Sequence, residues 1–229
     1  MLIPLLLQLT VAIPAGSYRP LYAVPGGGAV RVAAFRIDRD PVTRGDFLAF
    51  ARRHPEWRPR APQGTSRADL RRPVTSVSWH AARAYCGAQG KRLPTVAEWE
   101  YVAAASESRR DAARDPAFVQ RLVTTYATRP HPLPPVDAAE TNAYGVRGMH
   151  GLAWEWTEDF GGARAAPSHG EHEQHHAHGS AGPVHDASCA GAAIGAADPA
   201  NYAAFLRFAV RSGLTRDATM ESLGFRCAA

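Results

Sequence analysis

Six histidines, His169, His172, His175, His176, His178 and His185, crowd one stretch of this chain and are followed by Asp186 and Cys189. Imidazole suits copper, zinc and nickel, and a nearby thiolate favours the softer ions. Gly and Ala flank the tract, so it also reads as a solvated low-complexity loop with weak adventitious binding. No partner that would orient the rings can be named on a rigid element. The chain has three cysteines, Cys86, Cys189 and Cys227, so within one chain at least one thiol stays unpaired. In Trp154-Glu155-Trp156, a strand would put the two rings on one face and the acid on the other. Glu155 is then either a surface acid beside a core aromatic pair or a metal-facing carboxylate. There is no Gly-x-Ser-x-Gly, and Gly26-Gly27-Gly28 lacks the context of a phosphate loop. His80 precedes a predicted helix and reads as a surface or core residue rather than a base.

These side chains must be held by a domain of ordinary size. The 229 residues suit one domain with a real core, and 45% hydrophobic with 21% charged residues reads as globular. The net charge of +5 comes mostly from scattered arginines such as Arg52, Arg53, Arg58 and Arg60. No basic run is interleaved with aromatics, which argues against nucleic-acid binding. The first residues, among them Leu2, Ile3, Leu5, Leu6, Leu7 and Leu9, are apolar but too few to span a bilayer. Residues 1–12 therefore read as the tail of a secretion signal or as a first buried strand, and residues 13–229 as one domain. An exported or periplasmic location is the favoured expectation, a cytoplasmic one the alternative. No integral membrane segment is predicted, and a monomer is expected.

Residues 10–13 and 30–37 have strand patterns, joined through a Gly-rich tip at residues 25–28. Thr43 caps a helix with Phe47, Phe50 and Ala51 on one face, stopped by Pro55. Residues 57–72 form an Arg- and Pro-rich loop. Ser78 caps a second helix through Ala88, with Gly90 at its C-terminal end. Thr95 and Glu98 make a capping box for a third. A polar insert covers residues 106–129, helical around 117–123, and residues 130–135 are rigid and extended. Residues 148–156 form a loop entering a short strand, and residues 202–211 suit either helix or strand.

Three motifs stand out in order. They are Gly90-Lys91-Arg92-Leu93-Pro94-Thr95-Val96-Ala97-Glu98-Trp99-Glu100-Tyr101, His150-Gly151-Leu152-Ala153-Trp154-Glu155-Trp156-Thr157 and Leu223-Gly224-Phe225-Arg226-Cys227. Together they resemble the sulfatase-modifying-factor domain, the family of formylglycine-generating enzymes. The resemblance implies an α+β fold related to the C-type lectin domain, loop-rich, with few short helices and small sheets. It implies an oxidase that uses Cu(I) between two thiolates to oxidise a cysteine of a partner polypeptide. It also implies a disulfide between Cys86 and Cys227, whose positions match a bridged pair. In the family the Trp-Glu-Trp region supplies calcium ligands. Glu155 would remain one here, while Leu152 stands where an Asn would offer an oxygen, so calcium would bind weakly or not at all.

Counting back from Leu223-Gly224-Phe225-Arg226-Cys227 through Arg211 places Asp198 and Ala203 where the two copper thiolates belong. Tyr202 and Arg211 match their family counterparts, and Cys189 lies well before either thiolate position. The sequence thus predicts a divergent family member without copper–thiolate oxidase activity. One alternative is an active metal-dependent oxidoreductase acting on a cysteine or small thiol. The other is an exported metal-binding or accessory module with copper or zinc at the histidine tract.

Overall fold

The computed structural model describes residues 9–20, 28–59, 64, 66–128, 130–160, 210 and 213–229. The described residues open with four short strands, β1 (Thr10–Ile13), β2 (Gly16–Tyr18), β3 (Val30–Val32) and β4 (Phe35–Asp38). They form two nested antiparallel pairs: Thr10 faces Asp38 in β1–β4, and Gly16 faces Val32 in β2–β3. Residues 30–37 are therefore two strands rather than the single one their pattern predicts. The break at Ala33 and Ala34 lets β3 pair with β2, a strand too short to read from its sequence. Of the apolar first segment, the described residues from Thr10 onward belong to β1.

Three capped helices follow as expected. In α1 (Arg44–Ala51) the Thr43 hydroxyl accepts from the Asp46 amide. In α3 (Trp79–Ala88) Ser78 accepts from the Ala81 amide. The chain leaves α3 through Gly90 at φ +67°, a conformation that favours glycine. In α4 (Val96–Ala103) both arms of the capping box form, between Thr95 and Glu98. Burial works against the Glu98 carboxylate, but Arg92 and the Thr95 amide together hold it below the ordinary glutamate range. The loop at residues 57–72 contains a short helix, α2 (Arg67–Leu70), whose Ser66 cap accepts from the Asp69 amide. The polar insert is more regular than predicted. It forms α5 (Pro116–Ala127), with Asp115 capping two amides and Pro116 in the first turn. His80 lies inside α3, not before it, with its Nε2 3.9 Å from Asp217.

The last strands, β5 (Trp154–Glu155) and β6 (Leu223–Gly224), pair in parallel. The C-terminal segment beyond β6 then runs between β4 and the Arg92 segment that leads into α4. The Ala228 amide donates to the Arg92 carbonyl, and the Asp38 amide to the Cys227 carbonyl. Gly224 is dictated by packing, since a Cβ there would meet the Val74 carbonyl oxygen at 2.3 Å. One apolar cluster joins α1 and α3 to Trp156, Phe225 and Cys227; another joins β1–β4 to α4. The result is an α+β, loop-rich fold of short helices and two-stranded sheets. Among the described residues, no helix is long and apolar enough to cross a membrane.

Candidate functional site

The C-terminal segment and the Trp-Glu-Trp segment meet at a buried ion pair. Parallel pairing of β5 with β6 sets Glu155 beside Gly224 and brings Arg226 within reach. Arg226 Nε donates to Glu155 Oε2 and Nη2 to Oε1, each at 2.8 Å, and both side chains are fully buried. Trp99 Nε1 on α4 donates to the same Oε2 at 2.7 Å. The remaining guanidinium hydrogens go to the carbonyls of Asp38, Arg39 and Arg147. A bidentate guanidinium is the geometry that makes a buried carboxylate tolerable. Glu155 is thus a buried acid, not a surface one, enclosed by the Arg226 guanidinium and the Trp99 ring nitrogen. Sequence alone does not mark Arg226 or Trp99 as its partner. Both stand in the quoted motifs, but nothing in a one-dimensional pattern pairs them.

Beside this pair, Cys86 on α3 and Cys227 form a disulfide with Cα atoms 5.6 Å apart. Asp38 anchors the same strand end, accepting from Lys91 Nζ and from the Cys227 amide. Burial nevertheless pushes its carboxyl above the ordinary range, against Lys91 and that amide.

The positions predicted for chemistry, Asp198, Tyr202, Ala203 and Arg211, lie outside the described residues, as do Cys189 and the tract of His169, His172, His175, His176, His178 and His185. The described chain on either side of them returns to one place. Phe160 packs on Trp156 and Trp79, with ring centroids 5.0 and 6.3 Å apart, and Leu214 packs against the same cluster. The Trp79 amide donates to the Arg216 carbonyl, and the guanidiniums of Arg83 and Arg216 lie 5.4 and 4.8 Å from the Trp79 ring.

The calcium implied by the resemblance meets a poor donor set. Leu152 is buried, with its side chain against Gly148. Glu155 accepts three hydrogen bonds from protein donors. Among the described residues no group of three or more His, Cys, Asp or Glu is arranged to hold a metal. Calcium needs six to eight oxygens; Leu152 supplies no side-chain oxygen and both Glu155 oxygens are taken, so the Trp-Glu-Trp segment fits it poorly. A chelator is therefore expected to leave the melting temperature unchanged in differential scanning calorimetry. A calcium site held at a hundred times its Kd would contribute about 2.7 kcal/mol, so a clear fall in Tm on adding EDTA, restored by calcium, would contradict this.

The profile of the sulfatase-modifying factor enzyme 1-like domain matches residues 7–229. The chain is 32% identical over 203 residues to the formylglycine-generating enzyme of Mus musculus, covering 76% of this chain and 51% of that protein. It is 32% identical over 184 residues to inactive C-alpha-formylglycine-generating enzyme 2 of Bos taurus, covering 75% of this chain and 55% of that one. The chain thus spans about half the length of these two relatives. Among solved structures, Treponema denticola variable protein 1 superposes with a TM-score of 0.57 at 16% identity, covering 96% of this chain and 94% of the other. That likeness shows the fold alone.

Proposed function

Because the chain belongs to the sulfatase-modifying factor enzyme 1-like family, we propose that it is a divergent member that keeps the scaffold without the copper–thiolate cysteine oxidase chemistry. One observation carries this reading. The Cys86–Cys227 disulfide takes two of the three cysteines. Only Cys189 is left as a thiol, and Cu(I) chemistry of this type needs two soft thiolates. By motif spacing the two thiolate positions are Asp198 and Ala203, a hard carboxylate and a methyl group, so no oxidation step is assigned to the copper position. The similarity to both a formylglycine-generating enzyme and a protein named inactive is compatible with a scaffold that outlives its chemistry.

On this reading the protein is a monomeric binding or accessory module. Its partner would be a polypeptide or small thiol, not a nucleic acid. The disulfide supports an exported or periplasmic setting, where such bonds persist. The histidine tract is the part of the sequence that the family resemblance does not call for. It is assigned to binding Cu(II) or Zn(II). Oxygen uptake measured with copper-supplemented protein and a cysteine peptide should stay at the protein-free rate. Metal analysis should show copper or zinc that is lost when His172, His175, His176 and His178 are changed to Ala. Oxygen uptake that vanishes in a Cys189→Ala variant would favour the alternative, a metal-dependent oxidoreductase acting on a thiol.

A further inference from the structure

We propose that the cavity between α5 and the turn at residues 140–150 binds a small organic ammonium ion carrying a hydrocarbon group. The cavity holds about 290 Å³, near the lower end of small-molecule pockets, which run from about 300 Å³. Its floor is apolar: Phe118, Leu122, Val146 and Met149 line it and are buried.

The polar groups of its inner wall are already engaged. Asn142 donates to the Val102 carbonyl and accepts from the Tyr144 and Val146 amides. His150 Nε2 lies 2.8 Å from the Ala103 carbonyl oxygen, so it must carry the proton in the neutral ring. Nδ1 then accepts from the Tyr126 hydroxyl at 2.9 Å. The charge sits at the mouth. Arg121 lies 3.6 Å from Glu107 and its guanidinium lies over the Phe118 ring, so these two mouth charges offset each other. Glu140 also lines the mouth, and its carboxylate has no partner among the described residues. Among the described residues the mouth is therefore net acidic, in a chain whose net charge is +5.

An apolar floor under one uncompensated carboxylate selects a ligand with a cationic end and a hydrocarbon body. A hard metal cation is not served by one carboxylate, and an organic anion is repelled. Binding is expected to be weak, because one exposed ion pair contributes at most about 1 kcal/mol.

The test is a ¹⁵N-edited NMR titration of the full chain with phenethylamine, and with 3-phenylpropionate as its anionic counterpart. Phenethylamine should give saturable shifts at Ala105, Val146 and Met149, and 3-phenylpropionate should not. Glu140→Gln should weaken binding by about three- to fivefold, the worth of one exposed ion pair. Thr124→Trp, at an exposed lining position of α5, should abolish it while the rest of the spectrum stays native. No shifts with phenethylamine, equal shifts with both compounds, or full binding by Glu140→Gln would overturn the proposal.

Discussion

Replacing both Cys86 and Cys227 by Ser is expected to remove about 5 kcal/mol of stability. The bridge closes a loop of 141 residues, and in the chain-entropy description a loop of that length constrains the unfolded chain by about that amount. Domains are stable by only about 5–15 kcal/mol in total. The variant should therefore unfold at a much lower urea concentration, or fail to fold at 37 °C. Both sulfurs are fully buried in the apolar cluster between α3 and the C-terminal segment, so the two serine hydroxyls would also bear the cost of burial in apolar surroundings. Urea titrations of the native protein with and without reductant are a second route, and the reduced form should unfold at a clearly lower urea concentration than the oxidised one. Coincident transitions for oxidised and reduced protein would show that the bridge contributes nothing.

Arg226→Met should be almost as damaging. It leaves the Glu155 carboxylate buried with Trp99 Nε1 as its remaining described donor. Breaking a buried pair from one side typically costs about 3–5 kcal/mol, because the surviving charge is left uncompensated. A second change, Glu155→Leu, removes that charge and should recover part of the loss. Full recovery is not expected. Arg226 also serves the carbonyls of Asp38, Arg39 and Arg147, and buried acceptors left without donors remain costly. A double-mutant cycle by urea denaturation reads the coupling directly. Arg226→Met destabilising by less than about 1 kcal/mol, the range of an exposed pair, would mean that the pair is not buried in solution.

The parts of the fold legible in sequence are those with local causes. Thr43, Ser78 and Thr95 each announce a helix because a cap is made within three residues of its own chain. α2 and β2 are four and three residues long, too short for hydrophobic periodicity to register. α5 shows only in outline, because its polar face and the surrounding arginines mask the stripe of Phe118, Val119 and Leu122 that it buries. The split of residues 30–37 into β3 and β4 depends on which partner each half finds, and that is a tertiary fact. The Glu155–Arg226 pair spans 71 residues. Its two ends lie in recognisable motifs, but only the parallel pairing of β5 with β6 joins them. The pairing of Cys86 with Cys227 follows from the family resemblance, and nothing in their spacing alone implies it. For Asp198, Ala203 and the histidine tract, sequence spacing and residue chemistry remain the whole of the argument.

The central claim is that a scaffold of this family survives here without its two-thiolate oxidase. It is tested most directly by co-expressing the chain with a sulfatase-type cysteine peptide under copper supplementation and reading the peptide by mass spectrometry. The account predicts unmodified cysteine throughout, because one free thiol cannot supply the two that Cu(I) requires. Conversion of that cysteine to formylglycine, absent from a control lacking the chain, would contradict it.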